Sequence, residues 1–178
     1  SADALRSSLM MLTALGQDVQ ISDAKFEVGR NFATKIWNAA RFVHLQRHDE
    51  TSRQPLTELA GRLSPDDQHI LDRLDAAIRA CDDALEKYRF NDYALAAYDF
   101  VWHEYCDWYV EYAKLPLQSG DAGRRAVTLA VLHHVLETSL RLLHPLMPFL
   151  TEELWHRMGY GGPDESVALA RWPRPFEA

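Results

Sequence analysis

The stretch Arg30-Asn31-Phe32-Ala33-Thr34-Lys35-Ile36-Trp37-Asn38-Ala39-Ala40-Arg41-Phe42 has the pattern of one helix with two unlike sides. With its flanks it places Phe26, Gly29, Ala33, Ile36, Ala40 and Val43 at alternating spacings of three and four, which is a packing seam. Ser22 or Asp23 can cap this helix, because a short side-chain oxygen accepts the first free backbone N–H groups, and the pattern runs to about Gln46. With Ile36 at the middle of the buried side and ~100° per residue, Arg30, Asn31, Thr34, Asn38 and Arg41 fall on one arc, about 120° to about 220° away. Trp37 flanks that arc on one side, Lys35 and Phe42 on the other. A helix face that meets only water usually carries Glu, Lys, Gln and Ala. Planar and amide groups with aromatics beside them suit unpaired RNA bases, which stack on planes and bond amides at their edges. The alternative is that Trp37 and Phe42 pack against neighbouring helices while Arg30 and Arg41 form salt bridges, and composition does not separate the two.

Outward from this segment, almost everything reads as helix. Residues 2–15 put Leu5, Leu9 and Leu12 on one face, and Gly16-Gln17-Asp18 is a stop. Residues 48–63 read as a connection. Ser64-Pro65-Asp66-Asp67 is a strong start, with a cap, a proline at the first position and acids at the positive end of the dipole. Its helix has a seam of Leu71, Leu74, Ile78, Cys81, Leu85 and Tyr88. Asn91 can cap a fourth helix bearing Leu95, Tyr98, Trp102, Tyr105, Trp108, Tyr109 and Tyr112, broken at Pro116 and Gly120. Asp121 can cap a fifth, apolar on most sides from Val127 to Leu143, as expected of a central helix. His144-Pro145 interrupts, a short helix spans about Pro148 to Met158, and Val167-Ala168-Leu169 reads as an extended tail closing on Trp172-Pro173. The expected architecture is all-α: an antiparallel helix bundle of four long helices, one leading helix and one short one.

The net charge of −7 argues against a phosphate partner until its distribution is considered. Lys25, Arg30, Lys35, Arg41 and Arg47 oppose only Glu27 between residues 25 and 47, a local +4 that leaves −11, the difference from −7, on the rest. One basic helix on an acidic body is compatible with a directed anionic ligand. Cys81 and Cys106 lie among apolar helical neighbours and are expected to be buried thiols in a reducing compartment. With no signal peptide and no apolar run of about 18 residues, a cytoplasmic protein without a membrane partner is expected. Ser1-Ala2-Asp3-Ala4-Leu5 already reads as helix, which points to a piece of a longer protein.

Catalytic groupings are weak: there is no Gly-rich phosphate loop and no nucleophile elbow. His133 and Glu137 lie one turn apart, Glu153 and His156 have the Glu-x-x-His spacing of di-iron bundles, and Asp66 and His69 give an Asp-x-x-His. Asp66 is already explained by the helix dipole. The other helices offer Leu and aromatics rather than inward carboxylates, so neither a catalytic nor a metal site is expected, although a metal-binding helix bundle remains an alternative.

The segment 30–42 closely resembles the signature helix of the valyl-tRNA synthetase anticodon-binding domain, in the class I aminoacyl-tRNA synthetases. Four further segments match in family order: Ala2-Asp3-Ala4-Leu5-Arg6, Tyr105-Cys106-Asp107-Trp108-Tyr109-Val110-Glu111, the junction from His144 to Trp155, and Arg171-Trp172-Pro173. The late junction is shared with leucyl and isoleucyl relatives, whose module is the nearest alternative. Asn-Ala-Ala-Arg-Phe and Cys-Asp-Trp-Tyr favour valine. The resemblance implies an enzyme, an ATP-dependent, AMP-forming valine–tRNA ligase. It would also carry an editing domain, because an apolar pocket rejects threonine poorly. It implies ATP and Mg in a catalytic domain of the same chain and no cofactor for these 178 residues, which should not aminoacylate by themselves. Residues 1–20 would be the linker and stem-contact helix that follows the catalytic domain. Residues 21–178 would be the anticodon-binding bundle with a short extended C-terminal tail. The implied partner is the anticodon stem-loop of tRNA(Val). Carried over by residue, Arg41 would bond an anticodon base or its phosphate. Phe42 would stack on a base with Val110 as the aliphatic surface opposite, and Lys35 would neutralise phosphate. Arg30, Asn31 and Asn38 join them from the helical wheel.

Overall fold

The computed structural model describes residues 1–13, 22–46, 55–162 and 164–176, and every regular element among them is helical. Helix α1 (Ala2–Leu12) starts on Ser1, whose hydroxyl accepts the Ala4 N–H at 3.3 Å. Its buried face is not the leucine face. Asp3, Ala4, Ser7 and Ser8 turn inward and Leu5 is 46% exposed. The reason lies in α2 (Asp23–Leu45). A Cβ at Gly29 would stand 2.3 Å from the Ala4 carbonyl oxygen and 2.6 Å from Ser8 Oγ, so no side chain fits at position 29 between the two backbones. Ser8 Oγ accepts the Gly29 N–H at 3.0 Å and closes the contact. The expected stop at Gly16-Gln17-Asp18 lies outside the described residues, as do Arg47, Asp49 and Ser52 of the connection.

Along α2 the buried seam is Gly29, Phe32, Ile36, Ala39, Ala40 and Val43, with Phe26 and Ala33 half-buried. Residues 55–63 are more than a connection: a single turn, α3 (Leu56–Leu59), and a 3-10 turn (Ala60–Arg62) insert Leu56 and Leu59 into the core. Helix α4 (Pro65–Glu86) begins on a full capping box, Ser64 and Asp67 each satisfying the other's backbone N–H. The seam of α4 ends earlier than its periodicity predicts. Tyr88 lies beyond the helix, at φ 56° and 74% exposed.

The fourth long element departs most from expectation. It runs as α5 (Phe90–Asp99), a π-helical segment (Phe100–Tyr109) and α6 (Val110–Gln118). Asn91 sits inside α5 instead of capping it. Its amide donates to the Met10 and Met11 carbonyls at 3.3 and 2.5 Å, closing the end of α1. Pro116 is accommodated within α6, and the left-handed Gly120 (φ 75°) follows its end. A π turn bonds i to i+5, so the buried face drifts relative to an α-helix. Tyr93, Ala97, Val101, Tyr105, Tyr109 and Ala113 face the core, while Leu95 is exposed and Tyr98, Trp102, Trp108 and Tyr112 are half-buried. The buried phenols find acceptors: Tyr93 on the Leu142 carbonyl (2.5 Å), Tyr105 on that of Leu132 (3.0 Å), Tyr109 on Asp67 (2.6 Å).

Helix α7 (Ala122–Leu143), capped by Asp121, is the central helix. It is long and apolar enough to cross a membrane by length and composition, contrary to the sequence expectation, yet 78% of its apolar window is buried in the bundle. Helix α8 (Pro148–Met158) takes its N-terminal cap from a distant residue, with Asp3 accepting the Phe149 and Leu150 N–H groups at 3.3 and 2.6 Å. It ends on the left-handed Gly159. The tail is not extended at Val167–Leu169, which forms a 3-10 turn. It then lies along α4, where Trp172 Nε1 donates to Asp82 (2.6 Å) and the Phe176 N–H to Asp75 (2.8 Å). Cys81 and Cys106 are free and buried, and burial pushes both thiols up to about 12.

Candidate nucleic-acid interface

The seam of α2 faces α1, the π segment, α7 and α8, so its remaining surface forms a ridge between two grooves. Arg30, Asn31, Thr34, Asn38 and Arg41 are all exposed on that ridge, as the helical wheel places them. Arg30 bonds Glu27 one turn back (3.1 Å), and the Thr34 hydroxyl donates to the Arg30 carbonyl (3.0 Å). Arg41 forms no ion pair or hydrogen bond among the described residues. The two readings that composition left open are therefore both partly realised. Trp37 and Phe42 are half-buried against the core and Arg30 is paired, but Arg41 has no partner among the described residues.

On one side of the ridge, α2 meets the π segment and α6. Here Lys35, Asn38, Phe42 and Val110 line one groove of about 240 Å³ with Ala39, Cys106, Asp107, Glu111 and Lys114. Val110 is 6% exposed and belongs to the groove's inner surface. Two cations and two carboxylates balance in this lining. Lys35 is held on the Asp107 carboxylate, with its ammonium 4.3 Å from the Trp102 ring centroid. His103 approaches the other Asp107 oxygen at 3.6 Å. The lysine is therefore oriented before any ligand arrives, and Asp107 is the group an anion would displace.

On the other side, α2 meets α8. Trp37, Ala40, Arg41, His44, Leu154, Arg157 and Met158 line a second groove of about 260 Å³. Of the seven residues expected at the site, four share the first groove, Arg41 lines the second, and Arg30 and Asn31 lie on the ridge away from both linings. Sequence reasoning missed Glu111, Lys114, His44 and Arg157. Their only signal was helical phase, and Arg157 reaches Trp37 of α2 from 120 residues later in the chain (157 − 37) by packing alone.

The metal spacings dissolve into ordinary pairs. Glu153 binds Arg157 (2.5 Å), His156 lies on Glu152 (3.0 Å), and His69 sits edge-on to Trp108. His133 Nδ1 is 2.9 Å from the Tyr160 hydroxyl, and Glu137 is 3.6 Å from Arg141. No group of three His, Cys, Asp or Glu residues among the described residues could hold a metal ion.

Among the described residues the fold is a helix bundle without strands, with an open ridge bearing Arg30 and Arg41 between two grooves lined in part by Phe42 and Trp37. The profile of the family described as anticodon-binding domain of tRNA ligase matches residues 67–178, and the chain belongs to this family. The valine–tRNA ligase of Pseudothermotoga lettingae is 47% identical over 171 residues, covering 96% of this chain and 19% of that protein. The valine–tRNA ligase of Geobacillus kaustophilus is 42% identical over 173 residues, covering 97% and 19%. The chain thus spans about a fifth of the length of these curated relatives. Its fold is shared with the LeuRS of the Agrobacterium radiobacter K84 agnB2 LeuRS–tRNA–LeuAMS ternary complex. The TM-score is 0.61 at 20% identity, over 98% of this chain and 20% of that one. The family match begins at residue 67, so α2 rests on the ligase relatives, which extend across it.

Proposed function

We propose that this chain is the anticodon-recognition module of a valine–tRNA ligase, gripping the anticodon stem-loop of tRNA(Val) along the ridge of α2. The groove in which Phe42, Val110, Lys35 and Asn38 converge carries the reading. A ring and an aliphatic wall suit a base face, an amide suits its edge, and an ammonium suits the neighbouring phosphate. Arg41, exposed on the ridge, adds the bonding fork that recognises phosphate or a base edge. Arg30 and Asn31 would meet the backbone further along the same face. The parent protein would use ATP and Mg in a catalytic domain elsewhere in its chain to attach valine, in the cytoplasm, and this module would hold the tRNA so that its acceptor end reaches that site. The 47% and 42% identities to valine–tRNA ligases favour valine over leucine or isoleucine.

The test is a titration with a valine anticodon stem-loop and one altered at its central base. Phe42→Ala should weaken binding of the first by roughly 1–3 kcal/mol, the usual loss of one stacked base. Equal affinity of variant and parent would remove Phe42 from the site. Tighter binding of a leucine or isoleucine stem-loop would reassign the module.

A further inference from the structure

The groove between α2 and α8 has an electrostatic character the first groove lacks. Its lining holds two guanidinium groups, Arg41 and Arg157, and the His44 imidazole, with no carboxylate among the described residues. The Arg157 guanidinium carbon stands 5.1 Å from the Trp37 ring centroid, and Ala40, Leu154 and Met158 supply an apolar floor. A guanidinium laid against an indole offers a weakly hydrated, planar cation, the surface on which a nucleobase stacks. Arg41 and His44 are three residues apart, hence on one face of α2, where both can donate to one phosphate. Arg157 is also bound by Glu153 at 2.5 Å, but both side chains are more than half exposed, so water screens the pair and a phosphate can replace the carboxylate.

We propose that this groove is a second nucleotide subsite of the same RNA-binding face: a base stacks on Arg157 backed by Trp37, and the adjoining phosphate meets Arg41 and His44. The inference rests on the RNA-binding reading above and extends it to α8. The two grooves lie on either side of one helix, a separation of about 10 Å that a single strand crosses within a few nucleotides. The charge-balanced groove at Phe42 would discriminate the base it holds. The guanidinium-lined groove at Arg157 would supply the attraction for backbone, and its planar stack favours RNA over an acidic peptide.

The test uses the full chain and stem-loops carrying 2-aminopurine at one loop position at a time. Two different positions should report binding, one losing its signal in Phe42→Ala and the other in Arg157→Gln. Arg157→Gln should weaken binding roughly tenfold, as expected for one lost charge-assisted contact. It should also reduce the salt slope by about one. Arg157→Lys, which keeps the charge without the plane, should recover the slope but not the 2-aminopurine signal. Parental affinity and slope in Arg157→Gln, alongside weakened binding in Phe42→Ala, would overturn the second subsite and leave the RNA-binding reading standing. If the parent chain fails to bind the stem-loop, both fall. If Arg157→Gln weakens a polyglutamate peptide and not the stem-loop, the groove's occupant is a peptide and the proposal is refuted.

Discussion

Replacing Asp67 by asparagine exchanges one oxygen for an amide at the most polar point of the interior. Asp67 is fully buried and its carboxylate takes three hydrogen bonds, one of them the capping-box bond from Ser64. Oδ2 accepts from Arg124 Nη2 at 2.5 Å and from the Ser64 N–H at 2.9 Å, and Oδ1 accepts from the Tyr109 hydroxyl at 2.6 Å. Asparagine can keep the tyrosine bond, but its NH2 then faces two donors, and the Arg124 side chain, only 21% exposed, loses its counter-charge. Breaking one partner of a buried pair costs about 3–5 kcal/mol because the surviving charge stays in the interior. At ~2–4 °C per kcal/mol for a domain of this size, Tm should fall by roughly 6–20 °C. Calorimetry at neutral pH with Asp67→Asn, Arg124→Met and the double variant measures this directly. Asp67→Asn alone should be worse than the double variant, with a coupling of at least about 2 kcal/mol. A loss under about 1 kcal/mol for Asp67→Asn would refute the claim that this ion pair ties the start of α4 to α7.

Gly29→Ala should destabilise by about 1–3 kcal/mol through overpacking, because its Cβ would meet the Ala4 carbonyl rather than a yielding side-chain tip; urea unfolding tests this, and an unchanged midpoint would argue against the close α1–α2 contact. Trp108→Ala should cost roughly 2–3 kcal/mol, less than a fully buried tryptophan, since Trp108 is half-buried between His69 and the stacked Tyr112; a thermal melt checks the figure. Burial pushes His134 down to about 4, so it stays neutral in the folded protein while the unfolded chain protonates below about 6.5, and burial lowers His144 in the same direction. The stability His134 contributes is complete above that value and is lost as pH falls toward 4, on the order of 2–3 kcal/mol, and the loss should shrink in His134→Gln when unfolding is followed across that window.

The stem-loop titration needs these stability measurements beside it. Phe42 is packed against the core, so truncating it affects folding as well as stacking, and affinity must be compared at temperatures where both forms are folded. Lys35 carries a related complication. Its ammonium is already engaged by Asp107 and the Trp102 ring, so any attraction for phosphate would be a difference between two bound states.

Local signals accounted for the helical class, most helix boundaries and the outward face of α2. Ser64-Pro65-Asp66-Asp67 and Asp121 cap their helices as written, because capping is decided within four residues of chain. The exposed set Arg30, Asn31, Thr34, Asn38 and Arg41 follows from helical phase once one buried residue is known. Tertiary packing decided what periodicity could not. It turned the serine face of α1 inward against Gly29, wound residues 100–109 into π turns that rotate the aromatic face, and sent the Asn91 amide to the end of α1. It also divided the expected site between two grooves and brought Arg157 against Trp37. Hydrophobic spacing ranks side chains only by apolar content, whereas the choice between two faces of one helix depends on how closely a neighbouring backbone approaches. That distance is set by residues far away in the chain.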